Sequence, residues 1–444
     1  MTSVVLAACH VSRLVSGVAA TIFIGRQLGN VGFGVVSAAM ATVGLVMALS
    51  DFGIPSAHVV MASRHHRRPE IYTQAGVYLM SALGLVGALL VVAIAWWFSG
   101  SENFGSVAVY TMVFTLPLVL QGGQLYFSGL HATGYSSRAA MIGTAIVVLG
   151  AITRMVAAIF GSSPGQQLML MAFEMLVGAL LGWCLIASVL LRKPRWKRLA
   201  VASRHLLRQA LKTAVQGQAE SLFLKVEVII LGAFGLVALA GDYAAAMKLL
   251  EIALQLATYL LVPLIPRLAR IVKNRDQQAS SAFMAQSVGM LGLLGWCLMI
   301  GMMFLGPFTV NLLYGSSFST SGYAVIPFSL AVLPMILFQF NSRVALLVGG
   351  AKRNISALFF VGLMKAVVLS LVLHWMPDVT GSAIVFCFGA WLVWYVSACK
   401  NVSCRELAMY QRTGMWAWMV SSEARLHLKG WLAQTKRTGD ILPN

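Results

Sequence analysis

The chain has 444 residues, of which 59% are hydrophobic and only 10% charged, and its mean hydropathy is +0.83. Soluble domains carry about 25% charged residues, so this composition excludes a soluble globule and calls for lipid as the solvent. The formal charge of +19 would suggest nucleic acid in a soluble protein. In a membrane protein it reports topology first, and no nucleic-acid partner is expected.

Crossing a hydrocarbon core of about 30 Å takes roughly 20 apolar residues. Such runs occur in chain order at 4–24, 33–54, 75–98, 107–129, 139–160 and 168–190, then at 213–236, 243–265, 282–305, 323–347, 355–374 and 381–399. They are too long and too continuously apolar for barrel strands, which alternate over about ten residues. The expected fold is therefore an all-α polytopic membrane protein of about 12 transmembrane helices. No basic leader precedes the first run, which is expected to stay as a span.

The basic residues test this layout, because positive loops are retained in the cytoplasm. Even-numbered connections and the C-terminal tail hold 25 Lys and Arg, whereas odd-numbered connections hold one, Arg26. An error of one span would scramble this split. It predicts a multi-pass protein of the bacterial cytoplasmic (inner) membrane with both termini cytoplasmic.

The longest basic break separates two sets of six spans. The expected organisation is an N-terminal six-helix lobe (1–191), a basic cytoplasmic linker (192–212) lying on the anionic leaflet, a C-terminal six-helix lobe (213–399) and a basic cytoplasmic tail (400–444). Residues 306–322 read as the longest outward loop. Pro117 is expected to break the fourth span, and Pro263 and Pro266 to end the eighth. The tail places Trp416, Trp418 and Trp431 among Arg412, Arg425 and Lys429, a pattern open to an interfacial amphipathic helix or a solvated tail. An internal echo, Gly34-Val-Val-Ser-Ala-Ala-Met40 against Gly241-Asp-Tyr-Ala-Ala-Ala-Met247, lies at an offset of 207 and points to duplication of the six-helix unit.

Six cations fall inside spans: Arg13, Arg154, Lys225, Lys248, Arg343 and Lys365. Each costs about 2.5–3.5 kcal/mol at a helix centre on insertion scales, so such groups face bundle interiors or wet cavities. Lys248 and Arg343 lie near span ends, within snorkelling reach. The deep four repeat: Arg13 and Lys225 are 212 apart, Arg154 and Lys365 are 211 apart. Each half would project one cation from its first helix and one from its fifth. Two roles are open to them, lining a cavity for an anionic substrate or pairing with buried acids. Glu174, Glu220 and Glu227 are the candidate ion-coupling or structural acids, and Lys248 and Glu251 are spaced to pair on one helix face.

The run Gly25-Arg-Gln-Leu-Gly-Asn-Val-Gly-Phe-Gly-Val-Val-Ser-Ala-Ala-Met-Ala41 with Leu49-Ser-Asp-Phe-Gly-Ile54 resembles the first hairpin of the bacterial oligosaccharide and O-antigen flippases. These form the polysaccharide transporter branch of the multidrug/oligosaccharidyl-lipid/polysaccharide exporter superfamily. Lys225-Val-Glu227, Gly241-Asp-Tyr-Ala-Ala-Ala-Met-Lys-Leu249, Pro263-Leu-Ile-Pro-Arg267 and Leu313-Tyr-Gly315 extend the resemblance.

The resemblance implies a two-lobed flippase that moves an undecaprenyl-pyrophosphate-linked oligosaccharide repeat unit across the inner membrane, for O-antigen, capsule or exopolysaccharide biosynthesis. The substrate-binding residues would be Arg13, Arg154, Lys225 and Lys365. Membrane lipids, a glycan polymerase and export machinery are the expected partners. A transporter needs no catalytic residue, cofactor or metal, and the six cysteines lack metal-ligand spacing. A multidrug exporter of the same superfamily is the alternative, although carriers of cationic drugs favour acidic cavities. A membrane glycosyltransferase or glycan polymerase would need a larger extramembrane catalytic loop.

Overall fold

The computed structural model describes residues 2–64, 69–98, 105–132, 136–190, 196–273, 277–348, 351–375 and 377–400. The tail with its three tryptophans and Cys404 lies outside the described residues. The protein is an all-α, multi-pass membrane protein. Its long elements are α1 (Thr2–Asp51), α2 (Ile54–Arg64), α3 (Pro69–Phe98), α7 (Ser136–Ile159), α8 (Pro164–Leu190), α9 (Trp196–Ala233), α10 (Val237–Lys273), α11 (Gln277–Tyr314), α12 (Ser321–Val348), α13 (Ala351–Trp375) and α14 (Val379–Lys400). Between α3 and α7 run three short helices, α4 (Gly105–Thr111), α5 (Thr115–Val119) and α6 (Leu125–Ala132), joined by 3₁₀ turns.

Nine helical runs among the described residues are long and apolar enough to span a membrane, and the first of them, Ala8–Ala62, is 55 residues long, enough for two spans. With the fragmented fourth span and the charge-bearing α9, the count reaches twelve. The contacts group the described residues into two compact units. One takes its residues from Met1–Ala246, Pro307–Ala324 and Leu358–Val385, the other from Met247–Gly306, Val325–Ala357 and Phe386–Asn444.

Within the first unit, the glycine-rich motif at 25–34 forms the hairpin between the first two spans. Gly29 has φ +67° and ψ −179°, a conformation essentially reserved for glycine, and it divides α1 into limbs 2–28 and 30–51. Gly34 then meets α10. A Cβ here would overlap the Val237 carbonyl oxygen and lie 2.9 Å from the Gly241 amide nitrogen. Reciprocally, a Cβ on Gly241 would overlap the Asn30 carbonyl oxygen and lie 3.0 Å from the Gly34 nitrogen. The two residues aligned by the internal echo thus touch each other, main chain to main chain.

Asp242, beside this crossing, is buried and accepts hydrogen bonds from Thr320 Oγ1 and Ser321 Oγ at the start of α12. Tyr314, just before the turn at Gly315 (φ +91°), packs on Phe33 with ring centroids 5.8 Å apart. The second family-like motif, Ser-Asp-Phe-Gly, is also a turn: Phe52 and Gly53 take φ of 47° and 68°, and Asp51 Oδ1 accepts from the Gly53 amide at 2.8 Å.

One sequence expectation is extended and two need correction. The fourth span is no continuous helix: beyond the donor lost at Pro117, Gly123 and Gly182 bring main chains together so closely that a Cβ on either would overlap the opposing carbonyl oxygen. Side-chain hydrogen bonds tie this region to its neighbours, with Trp183 Nε1 of α8 donating to Leu120 O at 2.9 Å and Gln121 Nε2 donating to Met80 O of α3 at 3.1 Å. Residues 306–322 do not form a long loop, because α11 continues through Pro307 to Tyr314. Pro263 and Pro266 do not end the eighth span, since α10 runs on to Lys273. Each proline removes only one amide donor, and α10 and α11 absorb the loss.

The linker is helical from Trp196, and Leu199, Ala202, Leu206 and Ala210 are buried against apolar residues of α2 and α3. This segment therefore docks on protein through its apolar face, while Arg198, Arg204 and Arg208 stay exposed.

In the second unit, Phe328 packs edge-on to Phe386 at 5.4 Å, Thr258 Oγ1 donates to Gln339 Oε1 at 3.1 Å, and Gly295 allows Leu333 of α12 to approach α11.

Candidate functional site

Helix α9 carries Lys225 and Glu227 two positions apart. At 3.6 residues per turn these point about 200° from one another, and the structure uses both directions. Lys225 faces α1, where the absence of a side chain at Gly44 makes room for it: a Cβ there would overlap the Lys225 ammonium. Glu227 faces α13 and is fully buried against Lys365, which is 1% exposed. Lys365 Nζ donates to Glu227 Oε1 and to the Phe223 carbonyl at 2.7 Å, and it sits 3.8 Å above the Phe223 ring. Phe223 and Glu227 are one helical turn apart, so one face of α9 supplies the carboxylate, carbonyl and ring. Isolated buried charges are costly, and this lysine is held by all three kinds of contact. The second oxygen of Glu227, Oε2, is buried without a hydrogen-bond partner.

A second ion pair joins α7 to α8. Arg154 Nη2 lies 3.1 Å from Glu174 Oε2, with side chains 14% and 16% exposed. Arg154 Nε also donates to the Gly150 carbonyl at 3.1 Å, and a Cβ on Gly150 would overlap the Glu174 carboxylate. Arg13 is exposed on α1, its Nη1 3.9 Å from where a Cβ of Gly143 would stand on α7. Gly143, Gly150 and Arg154 recur on one face of α7, so this face meets two guanidinium groups and one carboxylate, with Glu174 paired to Arg154.

The structure sets Arg13 and the Arg154–Glu174 pair along one face of α7 and holds Lys365 in a separate, closed pair with Glu227. Lys225 is partly buried beside Gly44. Glu220 is exposed on α9 and Arg343 is exposed on α12. Lys248 and Glu251 pair along α10 at 2.8 Å, partly exposed. Sequence reasoning missed His58, buried with Nδ1 2.9 Å from Ser128 Oγ and Nε2 3.0 Å from Thr73 Oγ1. It also missed Asp242 as the anchor for α12. A polar residue in an apolar run is the only sequence signal for either. Among the described residues, no group of three His, Cys, Asp or Glu side chains is placed to hold a metal ion.

A family model described as "Polysaccharide biosynthesis protein" matches residues 2–272. The lipid II flippase MurJ in an inward closed conformation aligns with a TM-score of 0.70 at 12% identity, covering 99% of this chain and 94% of that one. An inward-facing multidrug resistance transporter of the MATE family, from the MOP superfamily, gives 0.65 at 14% identity over 90% and 96%. A MOP superfamily transporter from Pyrococcus furiosus gives 0.57 at 14% identity over 94% of each chain. At these identities the likeness concerns the fold, which in such transporters comprises twelve transmembrane helices in two lobes. No curated protein matches the sequence.

Proposed function

The chain belongs to the polysaccharide biosynthesis protein family, and we propose that within it this protein is the flippase for an undecaprenyl-pyrophosphate-linked oligosaccharide, serving O-antigen, capsule or exopolysaccharide assembly at the bacterial inner membrane. The observation that carries this reading is the excess of cation over anion along one face of α7, where Arg13 stands beside Gly143 and Arg154 pairs with Glu174 beside Gly150. Pyrophosphate suits such a site, because guanidinium groups bind phosphate oxygens through paired, charge-assisted hydrogen bonds.

In the proposed cycle the pyrophosphate binds Arg13 and draws on Arg154 as Glu174 yields its share of that contact, while Lys225 supplies a further charge from α9. The oligosaccharide follows the headgroup and the polyprenyl tail stays in lipid. Alternating access then exposes the site to the opposite leaflet. Movement requires no bond to be made or broken. Glu174 and Glu220 are the acids through which an ion gradient would act, Glu227 being the structural acid closed against Lys365, and a glycan polymerase would receive the cargo.

The test is surface glycan in a deletion strain complemented with Arg13→Ala or Lys225→Ala, with membrane levels of the protein measured in parallel. Both variants are expected to insert normally and to lose export. Wild-type export by both would overturn the cationic-site reading. Raised drug resistance on overexpression, with no glycan defect on deletion, would replace it with a multidrug exporter.

A further inference from the structure

The first half of α9 has two faces. One, made of Leu199, Ala202, Leu206 and Ala210, is buried on protein. The other side carries Arg198, Val201, Arg204, Arg208 and Leu211, all exposed and spaced three or four residues apart, which lines them up along the helix. Val201 and Leu211 are about half exposed. No acid occurs between residues 175 and 219, and among the described residues none of the three arginines makes an ion pair. A helix face made for water interleaves charges of both signs. This one is purely cationic and ends on an apolar residue, so its complement is an anionic amphiphile.

Depth identifies which amphiphile. Within the first unit α9 runs beside α3, and Leu206 Cδ2 lies 3.4 Å from where a Cβ of Gly76 would stand. Further along, Gln218 Nε2 donates to the Ala48 carbonyl at 3.4 Å, while a Cβ on Gly87 would overlap Ser50 Oγ, so both helices meet the same turn of α1. The two helices therefore advance together, and residue 206 stands level with the start of the apolar run 75–98, where the hydrocarbon begins. At 1.5 Å per residue, Arg204 and Arg208 lie ~3 Å to either side of that level, Leu211 about 7.5 Å into the lipid and Arg198 about 12 Å out of it. Phospholipid phosphates sit just outside the hydrocarbon, within reach of both inner guanidinium groups. The positive-inside pattern assigns this edge to the cytoplasmic leaflet. We propose that the outer face of α9 holds an anionic phospholipid of that leaflet, with Arg204 and Arg208 on its phosphate, an acyl chain against Leu211, and Arg198 adding charge from the aqueous side. The site is separate from the flippase reading, which stands or falls on Arg13 and Lys225.

The experiment uses the full chain in phosphatidylcholine nanodiscs doped with phosphatidylglycerol that bears a diazirine on an acyl chain near the glycerol, and a parallel sample with the same label on phosphatidylcholine. The expected result is labelling within 204–211 by the phosphatidylglycerol, about fivefold or more above the phosphatidylcholine. Arg204→Gln and Arg208→Gln should each lower it about fivefold, the effect of one cation near an anionic surface, and the double change should bring it to the phosphatidylcholine level. Thermal unfolding checks the fold of each variant, and the comparison of the two wild-type samples needs no variant. Equal labelling by the two lipids, or phosphatidylglycerol labelling that survives the double change, overturns the site. Displacement of the label by an equimolar amount of undecaprenyl pyrophosphate also overturns it, by making the face part of the cargo's path. Capture of a cellular protein in place of lipid by a benzoylphenylalanine at Val201 overturns it as well, by making the face a protein-docking surface.

Discussion

Arg154 and Lys365 occupy matching places in the two halves of the sequence, 211 residues apart, and each is met by a glutamate. The surroundings differ. Arg154 and Glu174 remain 14% and 16% exposed. Lys365 and Glu227 are at 1% and 0%, and the lysine is also tied to a carbonyl and a ring of α9. Two cations at matching sequence positions therefore stand in different settings. The first pair keeps an accessible edge, and on the proposed function it is the one that would exchange its partner for a cargo phosphate. The second is closed, a strut between α9 and α13.

The largest effect expected is on the strut. Glu227→Gln strands a buried ammonium, and removing one partner of a buried pair costs about 3–5 kcal/mol, so thermal unfolding in detergent should fall sharply. The double change Glu227→Leu with Lys365→Met should recover most of that loss, because an apolar replacement carries no desolvation cost. A double variant no more stable than the single one would show that the pair is not acting as a strut. Arg154→Ala should behave in the opposite way. A partly exposed pair contributes about 0–1 kcal/mol, so unfolding should shift little, while export should fall at least tenfold. A large loss of stability with proportionate export would erase the contrast. Smallest of all is Lys248→Ala: its pair with Glu251 is a partly exposed contact three residues apart on one helix, worth about 0.2–0.5 kcal/mol, and neither unfolding nor export should change appreciably.

The all-helical, many-span architecture was legible in the sequence because it is written in one dimension, as apolar run lengths. The choice of ionic partners was not. Glu227 is two residues from Lys225 yet meets Lys365, 138 positions away, because helical rotation sends adjacent charges to opposite faces and helix packing decides what waits there. Only the pair of Lys248 with Glu251 was legible, since both lie on one helix face; the meeting of Arg154 with Glu174 depends on how α7 packs on α8. Proline misled at 263 and 266, where one missing donor did not end the helix. At Leu199, Ala202, Leu206 and Ala210 the helical period was present, but the density of arginine around it directed attention to the lipid surface.

The crossing of Gly34 and Gly241 limits how this chain can change. The atoms in conflict are carbonyl oxygens and amide nitrogens, which no substitution can trim. A larger residue at either position therefore finds no compensating change at the other, and neither glycine can be exchanged without moving α1 off α10.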